Sequence, residues 1–150
     1  MKVVIQRVSE ASVEVEGKIV GRISKGLVIL AGWVEDDDTE DLIWTASKII
    51  KMRIFSDDED KMNLSIKDIA GDVLLISQFT LHALTKKGNR PSFINAARPE
   101  KAKEFYEIFK KCLTDGLGKK IECGIFGADM KVKLINDGPV TIVMDSENKS

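Results

Sequence analysis

Histidine and cysteine are scarce in this chain: His82 stands alone, and Cys112 and Cys123 are the only thiols among 150 residues. One histidine excludes a histidine-built zinc site, and the two cysteines lack metal-ligand spacing. Two cysteines do not make a disulfide framework, so the sequence predicts reduced thiols and a cytoplasmic protein. A Ser-His-Asp triad would have only His82 to draw on. No Walker-type or GxGxxG loop occurs. The acids at 57–60 lack the spacing and terminal glutamate of a calcium loop. No apolar run approaches the about 20 residues of a membrane span. The start, Met1-Lys2-Val3-Val4-Ile5-Gln6-Arg7, alternates like a strand and lacks the apolar stretch of a secretory signal. Neither a metal nor a cofactor is expected.

Neither charge is in excess: 23 basic residues face 24 acidic ones. The net charge is −1, which argues against broad, charge-driven binding to nucleic acid. The distribution is uneven, however. Between Lys86 and Lys103 stand six basic residues, Lys86, Lys87, Arg90, Arg98, Lys101 and Lys103, against one acid, Glu100. Such a run is either a solvated loop and helix face or a local phosphate-binding surface.

What is present reads as one domain over 1–150, with a hydrophobic fraction of 43% and a size sufficient for a substantial core. Strands are predicted at 2–8, around the Glu16-Gly17-Lys18 turn, at 27–33, 53–55, 73–79, 132–135 and 140–144. Helices are predicted from Asp37 or Asp38 to about Met52, and from Pro99 to Gly116 or Gly118. The tail from 146 should fray. Strands without regular βαβ alternation, plus two helices, indicate an α+β fold with a mostly antiparallel, barrel-like sheet.

Two short segments stand out. Ser77-Gln78-Phe79-Thr80 ends an apolar strand in neutral hydrogen-bonding side chains. In strand geometry Ser77 and Phe79 share one face, Gln78 and Thr80 the other. The segment is either a satisfied strand end or a pocket rim whose last N–H groups, at Phe79 and Thr80, meet a substrate oxygen. Gly138-Pro139, in Asn136-Asp137-Gly138-Pro139, offers carbonyl oxygens and lacks the proline N–H. It is either a hairpin turn or a site element.

Six segments in order resemble the bacterial and eukaryotic type of D-aminoacyl-tRNA deacylase. They are Gln6-Arg7-Val8, Met62-Asn63-Leu64-Ser65, Ser77-Gln78-Phe79-Thr80-Leu81, Gly88-Asn89-Arg90-Pro91-Ser92-Phe93, Gly124-Ile125-Phe126-Gly127-Ala128-Asp129-Met130 and Asn136-Asp137-Gly138-Pro139-Val140-Thr141. The resemblance spans residues 1 to about 145. It implies a homodimer that hydrolyses the ester of D-aminoacyl-tRNA, and of glycine misattached to tRNA for alanine. It implies that Gly138-Pro139 is cis and enters the partner's active site to reject L-amino acids. Arg7 and Met130 would support the site, Ser77, Gln78, Phe79 and Thr80 would line it, and tRNA would be the macromolecular partner. Lys86, Lys87 and Arg90 are the candidate tRNA contacts. The alternatives are a non-catalytic RNA-binding β-domain, with Phe93 and Tyr106 as candidate stacking rings, and a metal-independent esterase for small substrates.

Overall fold

Val3, Ile5, Val8, Ala11 and Val13 are the buried apolar positions of one long strand, β1 (Lys2–Val15). The buried parity changes between Ile5 and Val8, and there the pairing with the C-terminal strand also slips register. The computed structural model, which describes residues 1–150, thus joins the predicted strand at 2–8 and the hairpin strand after it into one element. Glu16 and Gly17 turn the chain into β2 (Lys18–Ile23), antiparallel to the second half of β1.

The run Gly26–Gly32 forms β3, which pairs antiparallel with the first half of β1. Asp72–Ser77 forms β6, which pairs parallel with β3. Both strands are buried on both faces. Leu27, Ile29, Ala31, Val73 and Leu75 face one cluster, while Val28, Leu74 and Ile76 face another. This is why both read as continuous apolar runs in the sequence. Between β3 and β6 come α1 (Thr39–Lys51) and a small hairpin, β4 (Phe55–Ser56) with β5 (Met62–Leu64). The strand expected at 53–55 therefore begins only at Phe55. After β6 follow α2 (Pro99–Leu117), the short β7 (Glu122–Cys123), parallel to β6, and β8 (Lys131–Asp145), antiparallel to β1.

The result is α+β: two helices and a mixed sheet in the order β2-β1-β3-β6-β7, with β8 on the other side of β1. Four of its strand pairings, counting the small hairpin, are antiparallel and two are parallel. The sheet curls until β2 nears β7, where the Arg22 N–H lies 3.5 Å from Glu122 Oε1. Inside the curl sits the smaller cluster of Val8, Ala11, Val13, Ile23, Val28, Leu74 and Ile76. The outer face carries α1 and α2, which bury Leu42, Ala46 and Ile49 against Phe105, Phe109 and Leu113 in the larger core.

Both helices begin where the sequence predicts. Asp38 caps α1 in a reciprocal capping box with Asp41, each bond 3.0 Å. Pro99 opens α2, and Gly118, not Gly116, closes it. Replacing Asp38 with alanine removes one half of the box. A loss of about 1 kcal/mol is expected, read as a lower urea midpoint at unchanged m-value.

The tail departs from expectation at its first residue. Ser146 is buried, its N–H donates to the Met1 carbonyl at 2.9 Å, and its hydroxyl accepts from the Met1 ammonium at 2.7 Å. The exposed stretch is 147–150.

Candidate active site

The Ser77–Thr80 segment does not continue as a strand. β6 ends at Ser77, and Phe79–His82 forms a single 3-10 turn. Gln78 donates its N–H to the Ala31 carbonyl at 2.7 Å, the last bond of the parallel ladder with β3. The chain then turns, with Leu81 N–H bonding back to Gln78 O at 3.2 Å and Ala83 N–H to Thr80 O at 3.1 Å. This corrects the two-faced alternation expected for residues 77–80. It has a chemical consequence: the Phe79 and Thr80 N–H groups lie at the N-terminal end of the turn, outside its own ladder. Thr80 is exposed, and the Gln78 amide donates to its hydroxyl.

Beside this turn opens a cleft of about 660 Å³, lined by 18 residues. Ser77, Gln78 and Phe79 line it, as does Met130, at the end of the 124–130 loop. Trp33 lies in the floor, 2% exposed, with edge-on contacts to Tyr106 and Phe109. Its indole N–H has no hydrogen-bond partner. Ala97, Ala102 and Phe126 complete an apolar interior. Arg98 stands at the lip. Its backbone N–H and then its guanidinium bond Glu35, which holds that carboxyl below its usual range. Phe79 and Phe93 also line the cleft and meet edge-on at 5.1 Å between ring centroids.

The Gly138-Pro139 segment lies elsewhere. It is not a hairpin turn between two strands but an outward bulge within the single strand β8. Val8 pairs with Asn136 and Gln6 with Thr141, so Asp137, Gly138, Pro139 and Val140 all stand opposite Arg7 alone. The bulge closes on itself through Asn136. The Asn136 amide donates to Val140 O at 3.1 Å and Thr141 Oγ1 at 3.0 Å, and its carbonyl accepts the Val140 N–H at 2.7 Å. Arg7 braces the base: Nε donates to Asp137 O at 2.8 Å and Nη1 to Ile54 O at 2.7 Å. The peptide between Gly138 and Pro139 is cis, and both residues are exposed. Gly138 has φ +142°, and a β-carbon there would come within 3.0 Å of both Arg7 Nη2 and Val140 Cγ2.

Neither Gly138 nor Pro139 lines the cleft of its own chain. Along the sheet, the β8 bulge stands opposite Arg7, Arg7 neighbours Leu27, Leu27 neighbours Val73, and Ser77 lies four residues further on. Those three strand spacings are about 14 Å across the sheet, and the four residues about 13 Å along it. One chain therefore carries an open cleft and, remote from it, a braced projection.

Other expected residues fall as follows. Lys86, Lys87 and Arg90 are exposed and make no ion pair or side-chain hydrogen bond. Arg98 is paired with Glu35, and Lys101 lies over the Phe105 ring, so the basic run of the sequence divides in three dimensions. His82 is buried, with Nε2 unpartnered, and Tyr106 is 4% exposed and cannot offer a stacking face. Cys112 and Cys123 are free and half-buried, and burial pushes both thiols up, opposite to the shift that activates a nucleophile. No three histidine, cysteine or acidic side chains converge so as to hold a metal ion, and no helix is long and apolar enough to cross a membrane. Sequence reasoning missed Asn136 as the clasp of the bulge and Trp33 as the cleft floor. The first was readable from an amide side chain four residues before Val140. The second gave no signal.

Residues 4–145 match the protein family described as D-Tyr-tRNA(Tyr) deacylase. The chain is 61% identical over 149 residues to a protein named D-aminoacyl-tRNA deacylase from Flavobacterium psychrophilum, covering 99% of both chains. It is 62% identical over 150 residues to one of the same name from Flavobacterium johnsoniae, again covering 99% of both. The solved structure of a protein named c-Myc DNA Unwinding Element Binding Protein is 38% identical and superposes with a TM-score of 0.90, covering 97% of this chain and 98% of the other.

Proposed function

This chain belongs to the D-aminoacyl-tRNA deacylase family, and on that premise we propose that it hydrolyses the ester between a D-amino acid and the terminal adenosine of tRNA. The observation that carries this reading is the pairing of an apolar cleft, lined by Ser77, Gln78 and Phe79 with Thr80 next in the turn, with a braced, exposed Gly138-Pro139 bulge.

In this reading the bulge of one chain enters the cleft of a second copy. β8 supports a dimer: it pairs only with β1, and none of its 15 residues is fully buried. A long strand with one free edge and exposed Ile135 and Val143 is a surface that proteins normally cover. D- and L-amino acids place Cβ on opposite sides of Cα. A wall of backbone facing the L side rejects every L residue whatever its side chain, and glycine at 138 keeps that wall flat. Glycine as substrate has no Cβ to reject, so activity on glycyl-tRNA for alanine follows from the same geometry. The carbonyls of Gly138 and Pro139 would accept from the substrate ammonium.

The ester is already activated, so positioning and oxyanion donors suffice for a large part of the rate. The Phe79 and Thr80 N–H groups would receive the carbonyl oxygen, and the substrate's 2′-hydroxyl would assist the attacking water. Thr80 has no general base beside it: its side-chain partner is the Gln78 amide. Thr80→Ala should therefore retain measurable deacylation in a single-turnover assay. Complete loss in a folded, tRNA-binding variant would instead make Thr80 the nucleophile.

The decisive assay incubates D-tyrosyl-tRNA and L-tyrosyl-tRNA separately with the pure protein. Release of D-tyrosine alone is expected. Equal turnover of both would sink the chiral wall. A second reading, nucleic-acid binding without hydrolysis, draws on the 38%-identical relative, whose name describes a DNA-binding protein. It predicts binding with release of neither amino acid.

A further inference from the structure

Near their C-terminal ends, α1 and α2 border a second recess of about 550 Å³, which the segment 65–68 before β6 also lines. Ile43, Ala46 and Ile50 of α1 and Cys112 and Gly116 of α2 give it an apolar lining. A β-carbon at Gly116 would come 3.1 Å from Ile50 Cγ1, so the two helices are in contact where they line it. Ile43 is 53% exposed. The recess shares no residue with the cleft. Helix α2 reaches both: Ala102 lines the cleft and Gly116 the recess, about 21 Å apart along the helix axis.

The rim is charged. Lys51, Arg53 and Lys67 line the recess, and none of them makes an ion pair. Arg53 bonds the neutral Asn63 side chain at 3.1 Å. Lys48 stands on an adjoining shallow recess that shares Ile43, Ser47 and Lys51, and it too is unpaired. The two carboxylates on the rim are already engaged. Asp115 accepts from Lys111 Nζ at 2.7 Å, and Asp68 accepts the Ser65 N–H at 2.8 Å. Hydrogen bonding by Ser65, and then the charge of Arg53, hold the Asp68 carboxyl below its usual range. The cations are therefore the unanswered charges of the site.

An apolar lining with a few convergent polar groups is the usual make-up of a small-molecule site. A bare inorganic anion would leave the lining wet, and a neutral hydrocarbon would leave the cations without a partner. We propose that this recess binds a small organic acid, a compact apolar body carrying one carboxylate. The body lies on Ile43, Ala46, Ile50 and Cys112, and the carboxylate meets Arg53, Lys67 and Lys51 in charge-assisted hydrogen bonds. The site is separate from the cleft and from the reaction assigned to it.

The test titrates three probes into the isotope-labelled protein and follows backbone amide shifts. The probes are phenylbutyrate, its uncharged amide phenylbutanamide, and acetate. Phenylbutyrate should move amides within 43–53, 65–68 and 112–116 along one saturating curve. It should bind at least about tenfold tighter than the amide, which lacks the charge, or acetate, which lacks the body. Replacing Arg53 and Lys67 together with glutamine should weaken it about tenfold, the sum expected of two exposed charge pairs. Ser47→Phe, which places a ring in the recess, should abolish binding, with a Tm within about 2–3 °C of the parent's to show that the fold is kept. Equal affinity for phenylbutyrate and its amide, or for phenylbutyrate and acetate, overturns the proposal. So do shifts confined to the cleft residues, a double variant that binds as the parent does, or a folded Ser47→Phe protein that still binds.

Discussion

Gly138→Ala should reduce release of D-tyrosine from D-tyrosyl-tRNA by at least about a hundredfold while leaving the fold intact. Gly138 sits at φ +142°, a conformation that an L side chain rarely adopts. Its new β-carbon would also press within 3.0 Å on Arg7 Nη2 and Val140 Cγ2, and within 3.1 Å of the Val140 nitrogen. Strain of this kind costs on the order of 1–3 kcal/mol, and its relief requires the bulge or the Arg7 brace to shift. A displacement of about 1 Å in a positioning element is enough for a loss of about 10²-fold. The bulge is exposed, so relief leaves both cores untouched. Single-turnover hydrolysis of both tyrosyl-tRNA enantiomers, with thermal melting as control, reads the effect. An active variant of parental chirality and unchanged melting would separate the bulge from the reaction.

Gly26→Ala should cost stability on a scale that no surface change approaches. Gly26 opens β3 opposite Asp72, the first pair of the parallel ladder. A β-carbon at Gly26 would overlap the Asp72 carbonyl oxygen and come within 2.7 Å of its carbonyl carbon and 2.8 Å of its nitrogen. These are backbone atoms, so no rotamer change clears them. The strands must part, at the point where the chain between them holds Asp72 N–H on Lys25 O at 3.1 Å. A loss of about 4 kcal/mol or more is expected, within the class that cores show when overpacked against immovable neighbours. For a chain of this size that is a fall in Tm of about 10 °C or more. A melting temperature within about 2–3 °C of the parent's, the shift produced by a change below about 1 kcal/mol, would show that the ladder tolerates separation there.

These two glycines illustrate different degrees of legibility. Gly138 is conspicuous in the sequence because proline follows it. Even so, its strand neighbours predicted a hairpin turn, because a break between two apolar runs is normally a turn. That both runs pair with the same strand, β1, depends on residues well over 100 positions away, from Glu14 opposite Lys131 to Lys2 opposite Asp145. In the sequence Gly26 is ordinary punctuation before one apolar run, and its partner Asp72 simply precedes another. Their contact exists only because β3 and β6 pair in parallel across α1 and the β4–β5 hairpin.

The candidate site divides the same way. Ser77 to Thr80 was located from its polar side chains after an apolar strand. The turn that lifts Phe79 and Thr80 out of the strand depends on Gln78 spending its N–H on Ala31. Trp33 and Ala97 reach the cleft through a contact between distant segments, the Ala97 N–H to the Trp33 carbonyl at 2.9 Å. No local pattern encodes it.

The sequence by itself determined the α+β class, both helices with the Asp38 cap and Pro99 start, the buried strands β3 and β6, and the motif set that identifies the family. Those features rest on periodicity and capping, which act between residues a few positions apart. The tertiary structure alone decided that Asn136–Val140 is a bulge braced by Arg7, that the cleft and the bulge lie apart in one chain, and that the basic run splits into free and paired cations. Each of these depends on which backbone groups and charges meet across the fold, and the chain order does not carry that information.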